Sequence, residues 1–249
     1  MKVLLNIGTH GDEKIGLYVA QRIEKLPVKN NGLVVNVANE KAFKLNKRFI
    51  DQDLNRSFPG KKKGNYEERR AHQLLPIIQE ADIVIDIHST TSELKDAIIV
   101  TKLNKKTREY VNIISPKYVL VMNATKNNTL ISHAKIGIAF EYGKDKDQKV
   151  IRKVTDGIES LLSYVGMIPS LKNRIKIGRP IFLDVYASIS KPKGARLGSN
   201  IKNYVLVKKG SVYGTAQEKQ LRAEQDFYPV LFGAKNYKDI FGFAGKKMS

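Results

Sequence analysis

Residues 3–26 read VLLNIGTHGDEKIGLYVAQRIEKL, an apolar run followed by a glycine-bounded turn and then by helical spacing. The run Val3–Ile7 is typical of a buried strand. From Ile15 to Leu26 the apolar residues recur at intervals of three or four, which predicts an amphipathic helix. The stretch therefore predicts a strand–turn–helix unit with His10 and Glu13 in the turn.

The same alternation continues to about residue 165. It predicts strands at Leu33–Val37, Ile83–Ile87, Ala97–Thr101, Tyr118–Met122 and Ile136–Phe140, and helices at 66–80, 104–114 and 148–164. Such alternation is typical of an α/β fold in which a parallel or mixed sheet lies between two layers of helices. Functional sites in these sheets collect at the carboxyl ends of the strands.

After about Gly166 the pattern changes to short β-prone segments separated by glycine and proline. We expect strands at 181–186, 204–207, 212–213 and 228–232, and a helix only at Thr215–Glu224. The sequence therefore predicts a larger α/β domain at 1–166 and a small β-rich domain at 167–249 that packs on it.

The chain is strongly basic, since its 249 residues include 44 Lys and Arg but only 24 Asp and Glu, a net charge of +20. Such a charge raises nucleic acid or an anionic membrane as a partner. However, Lys outnumbers Arg by 33 to 11, whereas readout of nucleic acid favours the Arg guanidinium. We therefore expect no nucleic-acid or membrane partner, and a surface that attracts small anionic substrates. The oligomeric state is left open.

The chain contains no cysteine and four histidines. This excludes a disulfide scaffold, a cysteine nucleophile and iron–sulfur clusters, so a transition metal would need His and carboxylate ligands. No apolar run reaches the length of a membrane span, and the amino terminus does not resemble a signal peptide. We expect a soluble, cytoplasmic protein.

His10 and Glu13 follow the first strand, and His88 follows the strand Ile83–Ile87, so all three are expected at one sheet edge. Two His and one carboxylate leave a coordination position open, which is typical of a catalytic zinc site. Asp86, two residues before His88, could accept the other ring N–H. The alternative is that the histidines belong to ordinary turns and that Glu13 only favours a helix N-terminus.

Two further stretches carry candidate catalytic groups. Glu141 ends a nearly apolar strand, where a carboxylate could take a proton from water and return it to a leaving amine, or could simply form a salt bridge. Arg48, Asn55 and Arg56 lie in a polar segment, where a guanidinium can bind a carboxylate or stabilise an oxyanion. The alternative for the two arginines is pairing with nearby loop aspartates.

Taken in order, four motifs resemble the aspartoacylase/succinylglutamate desuccinylase family of the zinc carboxypeptidase clan. They are Gly8-Thr9-His10-Gly11-Asp12-Glu13, Arg48 with Asp53-Leu54-Asn55-Arg56, Asp86-Ile87-His88-Ser89-Thr90-Thr91 and Glu141-Tyr142-Gly143. The resemblance implies a three-layer α/β/α mixed-sheet zinc-carboxypeptidase-like fold. Residues 1–166 would form the zinc hydrolase catalytic domain, and residues 167–249 a β-rich domain that covers the active site.

The resemblance also implies roles for individual residues. One zinc ion per chain would be held by His10, Glu13 and His88, with Glu141 as general base and Arg48 polarising the scissile carbonyl. Asn55 and Arg56 would bind a substrate carboxylate, and the segment 236–244 is similar to one that places a tyrosine, here Tyr237, at the substrate.

One departure concerns the substrate. The aspartoacylase branch has a further arginine shortly before its catalytic glutamate, whereas the corresponding segment here, Thr129–His133, contains none. We therefore expect a zinc-dependent amidohydrolase acting on an N-acyl amino acid or a similar carboxylate-bearing amide, but not on N-acetylaspartate specifically. Two alternatives remain: a carboxypeptidase-like peptidase, and a non-catalytic basic binding module on the same fold.

Overall fold

The computed structural model describes residues 1–29, 32–90, 96–123, 127–170, 177–217, 219–233 and 237–248. They form two compact units, one made of Met1–Val119 and Thr125–Pro180, the other of Leu120–Ala124 and Ile181–Ser249. The sequence-based division placed this boundary at residue 167, within the stretch that the structure assigns to the first unit.

The first unit is built on a mixed β-sheet. Its strands are β1 (Val3–Ile7), β2 (Leu33–Val37), β3 (Ile83–Ser89), β4 (Ala97–Val100) and β6 (Gly137–Tyr142), whereas β5 (Tyr118–Met122) belongs to the second unit from Leu120 onwards. The order of the five strands is β4-β6-β3-β1-β2. Strands β2, β1, β3 and β6 are parallel neighbours, and β4 runs antiparallel to β6. The predicted mixed sheet is confirmed.

Helices cover both faces of this sheet. They are α1 (Ile15–Ile23), α2 (Glu40–Lys44), α3 (Tyr66–Glu80), α4 (Lys105–Ile114) and α5 (Gln148–Tyr164). Helix α3 packs in one apolar core with Leu4 and Val84, whereas α1 packs against Ile7 and α5 against Phe140. Because successive strand residues point to opposite faces, the layers are helix, sheet and helix, as predicted. Among the described residues, no helix is both long and apolar enough to cross a membrane.

The second unit is rich in β-structure, as predicted. It contains β7 (Ile181–Ser190), β8 (Arg196–Leu197), β9 (Val212–Ala216), β10 (Lys219–Arg222), β11 (Tyr228–Val230) and β12 (Ile240–Lys247). Strands β11, β12 and β7 are antiparallel neighbours, and β10, β9 and β8 form a three-stranded sheet. A small core is shared by Val207, Ala223, Phe227, Phe232, Phe241 and Ala244.

Two local predictions in this unit were wrong, and one strand was missed. The expected helix Thr215–Glu224 is instead the β9–β10 hairpin, in which Lys219 pairs with Ala216. The expected strand 204–207 is irregular, because Tyr204 has a φ of 66°, and only Val207 forms a bridge, to Phe227. Strand β12 was missed, because its glycines and terminal lysines are residues that strands usually avoid.

Candidate active site

Two glycines allow the turn after β1 to pack tightly against the neighbouring segment. Gly8 has a φ of +62°, and a Cβ on Gly11 would lie 2.2 Å from the backbone of Ala42. At this close approach the Gly11 backbone N–H donates to the carbonyl of Arg48 at 3.1 Å. The turn that carries His10 is therefore fixed directly against the segment that carries Arg48.

The start of α1 is held by a residue from far along the chain. The backbone N–H groups of Lys14 and Ile15 both donate to the Asp145 carboxylate at 3.0 Å, which satisfies N–H groups that have no partner inside the helix. The Lys14 ammonium donates to the carbonyls of Gly11 and Phe43 at 2.6 and 2.8 Å. Both ends of the turn are therefore anchored, with Glu13 between them.

The structure brings His10, Glu13 and His88 together. His10 Nδ1 lies 2.8 Å from Glu13 Oε1, and His88 Nδ1 lies 3.1 Å from Glu13 Oε2. The two Nδ1 atoms are 3.3 Å apart. Both histidines are buried, at 7% and 2% exposure, and the Glu13 side chain is 12% exposed.

This arrangement fits a zinc ion. Zinc binds His nitrogen and carboxylate oxygen at about 2.0–2.2 Å in tetrahedral geometry, which places neighbouring ligand atoms about 3.3 Å apart. The spacings of 2.8, 3.1 and 3.3 Å between the ligand atoms of His10, Glu13 and His88 are close to that value. Three protein ligands leave the fourth position for water or substrate.

Each histidine is oriented by a second carboxylate. His88 Nε2 lies 2.8 Å from Asp86 Oδ2, as predicted, and Asp86 Oδ1 accepts a bond from the Thr9 hydroxyl at 2.7 Å. His10 Nε2 lies 3.1 Å from Asp53 Oδ1. A proton on Nε2 of each ring would donate to that carboxylate, and Nδ1 of each ring faces Glu13. From the sequence, Asp53 was expected only as a partner for arginine, and its contact with His10 was not predicted.

The charges of this cluster are strongly coupled. Burial lowers the pKa of His10, but Glu13 and Asp53 raise it more, so the net pKa lies above the usual value. Burial likewise lowers the pKa of His88, but Asp86 and Glu13 raise it well above the usual value. Burial raises the pKa of Glu13, but His10 and His88 together lower it well below the usual value. Burial also raises the pKa of Asp53, but His10, Arg48 and Arg56 together lower it well below the usual value. In the metal-free protein, the nearby carboxylates therefore favour the protonated form of both histidines.

Glu141 lies beside the cluster on the adjacent strand. It pairs in register with His88 across β3 and β6, so both side chains point to the same face of the sheet. Burial, with a smaller contribution from the nearby Glu13 carboxylate, raises the pKa of Glu141 to about 7. This carboxyl group is therefore poised to exchange a proton near neutral pH.

Arg48 reaches the same centre from the segment after α2. Its Nη1 donates to Glu13 Oε1 at 3.3 Å, and its Nη2 lies 3.7 Å from Asp53 Oδ2. The Arg48 side chain is 47% exposed, so its guanidinium stands at the boundary between the carboxylates and solvent. Arg48 therefore lies near the loop aspartate Asp53, as the alternative interpretation expected, and also contacts Glu13 in the candidate site.

Asn55 and Arg56 lie in a short 3-10 helix, Leu54–Arg56, which follows directly on Asp53. The Asn55 N–H donates to the Asp53 carboxylate at 2.8 Å, and the Asn55 side-chain oxygen accepts a bond from Leu130 N at 2.9 Å. The Arg56 side chain is exposed and donates to the carbonyl of Asn55 at 2.7 Å. The amide of Asn55 is therefore fixed, and the Arg56 guanidinium faces solvent.

Tyr237 lies in the second unit, where its ring contacts that of Phe243 with centroids 5.8 Å apart. Its expected contact with substrate stays a prediction. Two positions of the quoted motifs, Thr91 and Asn236, lie outside the described residues.

The chain is similar to a protein family and to individual proteins that carry related names. Residues 1–165 match the family described as the succinylglutamate desuccinylase/aspartoacylase catalytic domain. A protein of Trichodesmium erythraeum named probable aspartoacylase is 32% identical over 156 residues, which are 55% of this chain and 53% of that protein. A protein of Prochlorococcus marinus subsp. pastoris with the same name is 24% identical over 260 residues, covering 97% of this chain and 82% of that protein.

Among solved structures, murine aminoacylase 3 matches with a TM-score of 0.78 and 18% identity, covering 100% of this chain and 95% of that one. Such an identity shows a shared fold. The chain spans only about half the length of the Trichodesmium relative, at 53%.

Proposed function

Because the chain belongs to the succinylglutamate desuccinylase/aspartoacylase family, we propose that it is a zinc-dependent amidohydrolase that removes an acyl group from an N-acyl amino acid. The observation that carries this proposal is the convergence of His10, Glu13 and His88 with their ligand atoms within 4.8 Å of one another. Glu141 adds a carboxyl group beside this set, in register with His88.

We assign one zinc ion per chain to His10 Nδ1, His88 Nδ1 and the Glu13 carboxylate. When bound, zinc would act as a Lewis acid and lower the pKa of a water molecule at the open position. Asp53 and Asp86 contact Nε2 of the two imidazoles at 3.1 and 2.8 Å, which leaves Nδ1 of each ring to face the metal. The proteins named aspartoacylase among the relatives support the assignment to a deacylase.

Glu141 is the proposed general base and acid. Its pKa of about 7 in the metal-free protein, raised by burial, suits a group that accepts a proton from water and then delivers it to the leaving amine. Arg48 is proposed to donate to the oxygen of the scissile carbonyl, where negative charge develops. Its guanidinium is partly exposed and can reach a substrate carbonyl. It also lies beside Glu13, where its positive charge offsets the negative charge of the carboxylate.

Asn55 and Arg56 are the proposed binding groups for a substrate carboxylate. The exposed guanidinium of Arg56 would form a charge-assisted hydrogen bond with the carboxylate. The Asn55 amide, held by Leu130, would orient that carboxylate. Tyr237 is proposed as a further substrate-contacting residue, on the resemblance of segment 236–244. The segment Thr129–His133 supplies no further arginine, which favours an N-acyl amino acid other than N-acetylaspartate.

The test is a hydrolysis screen on zinc-loaded protein. The panel combines acetyl, succinyl and formyl groups with acidic, neutral and basic amino acids, and also includes short peptides. Release of free amino acid from at least one N-acyl amino acid, abolished by chelation, is expected. Hydrolysis of peptides alone would replace the proposal with a peptidase. Hydrolysis of none of the compounds, with salt-sensitive binding to mixed DNA and RNA, would indicate a binding module.

A further inference from the structure

Helix α3 carries a glutamate that is completely buried. Glu67, in the first turn of α3, has 0% exposure. A carboxylate in such a position is costly unless hydrogen bonds replace the water that it loses. The hydrogen-bond partners of Glu67 therefore indicate which parts of the structure it stabilises.

Among the described residues, the Glu67 carboxylate has four hydrogen-bond partners, and all of them are N–H groups. Oε1 accepts bonds from the backbone N–H of Ile50 at 2.7 Å and from the Asn39 amide at 3.1 Å. Oε2 accepts bonds from the backbone N–H of Asp51 at 3.0 Å and of Gln52 at 3.3 Å. Hydrogen bonds from N–H groups to a carboxylate are stronger than those between neutral groups, so three consecutive residues are held by one side chain.

In the sequence, the anchored segment 50–52 lies between Arg48 and Asp53, two residues of the candidate site. Arg48 precedes it by two positions and contacts Glu13, and Asp53 follows it directly and contacts His10. The fourth partner, Asn39, donates its backbone N–H to the carbonyl of Gly8, at the start of the turn that carries His10. One carboxylate thus connects α3 to both sides of the candidate metal centre.

We infer that Glu67 is a positioning residue that sets the place of Arg48 and Asp53 relative to His10. This inference rests on the proposed function, since it assigns a catalytic consequence to the geometry of Arg48. Asn55 has a separate anchor, the bond from Leu130 N to its side chain. Loss of the Glu67 carboxylate should therefore weaken stabilisation of the transition state by Arg48. It should have a smaller effect on binding of the substrate carboxylate.

The test uses Glu67→Gln in the zinc-loaded full chain, with Glu68→Gln as the matched control. The Gln amide keeps one acceptor oxygen but turns an NH2 group towards N–H donors. Glu68 lies in the same helical turn, where it accepts the Asn65 N–H and pairs with Lys61, away from the segment 50–52. We expect kcat to fall about 10- to 100-fold in Glu67→Gln, as a small misplacement of a catalytic group can cause. KM should change less than about threefold, and Glu68→Gln should change neither constant.

Two further readouts separate positioning from a general structural role. In Arg48→Ala, the additional change Glu67→Gln should reduce kcat by much less than it does in the wild-type chain, because residues that act through one another are non-additive. Hydrogen exchange of the Ile50, Asp51 and Gln52 amides, measured without substrate, should be faster in Glu67→Gln. Additive effects on kcat, or an unchanged kcat, would overturn the inference.

The outcomes distinguish this inference from the proposed function. A wild-type protein that hydrolyses no N-acyl amino acid overturns both the proposed function and the catalytic consequence. An active wild type whose Glu67→Gln variant keeps its kcat overturns only the positioning role. If Glu67→Gln does not fold, Glu67→Asp, which retains a carboxylate but shortens its reach, decides by the same measurements.

Discussion

Asp53 Oδ1 lies 3.1 Å from His10 Nε2, and this contact joins two residues that are separated by 43 positions in the chain. With Nε2 held by the carboxylate, Nδ1 of His10 is directed towards Glu13, 2.8 Å away. Asp86 holds His88 in the same way. Two carboxylate–histidine pairs therefore orient the two candidate histidine ligands, one in the turn after β1 and the other in β3.

Replacing Asp53 should weaken zinc binding without removing the zinc ligands. Asp53→Asn keeps the shape of the side chain but removes its negative charge, so we expect zinc affinity to fall about 10- to 100-fold. Competition with a chromogenic chelator measures this. Asp51→Asn is the matched control, since Asp51 accepts the N–H of Tyr66 rather than a histidine. Equal affinities in the two variants would show that Asp53 does not orient His10.

Replacing Glu141 should separate metal binding from catalysis. Glu141→Gln retains the size of the side chain but cannot accept a proton, so we expect the rate of hydrolysis to fall at least about 100-fold. Zinc content should stay at one ion per chain, because Glu141 is not among the proposed ligands. A variant that keeps the wild-type rate would remove Glu141 from the mechanism, and one that loses zinc would make it a ligand.

Arg56 should act on substrate affinity. Arg56→Ala removes an exposed guanidinium, and the loss of one charge-assisted hydrogen bond, worth about 1.5–3 kcal/mol, should raise KM about 10- to 100-fold. Since the side chain is exposed, the melting temperature should change little. Lys62→Ala, which removes one positive charge from an exposed loop residue, is the control for a general electrostatic effect. A similar rise of KM in both variants would argue against a specific contact.

Zinc affinity should rise with pH. In the metal-free protein the pKa values of His10 and His88 lie above the usual 6.5, because nearby carboxylates outweigh the effect of burial. Below these pKa values zinc must displace protons, since only a neutral imidazole binds the metal. Affinity should therefore be low at acidic pH and increase as the pH rises above about 6.5, until both rings are neutral. Affinity that is independent of pH across this range would contradict this assignment of the ligands.

Much of the candidate site could be predicted from sequence because its residues directly follow or end apolar strands. Val3–Ile7 and Ile83–Ile87 have strong strand patterns, and parallel strands bring His10 and His88 to one sheet edge. Glu141 was identifiable for the same reason, as a carboxylate at the end of an apolar strand. These inferences needed only local patterns and the general geometry of α/β sheets.

The contacts that orient the site were not predictable in this way. The partners of Glu67 lie 15–17 positions away in an irregular segment, apart from Asn39, which is 28 positions away. No periodic pattern connects such residues, and the same holds for Asp53 and His10. In the second unit, β12 was missed because tertiary pairing with β7 and β11, rather than strand propensity, determines its conformation.

The decisive measurement is the zinc content and hydrolytic activity of the wild-type chain before and after chelation, with His88→Ala measured in parallel. We predict one zinc ion per wild-type chain, loss of N-acyl amino acid hydrolysis when zinc is removed, and its return when zinc is restored. His88→Ala should bind zinc weakly and be inactive. Metal-free wild-type protein that retains its full activity, or a His88→Ala variant that binds zinc as tightly as the wild type, would contradict the proposed zinc site.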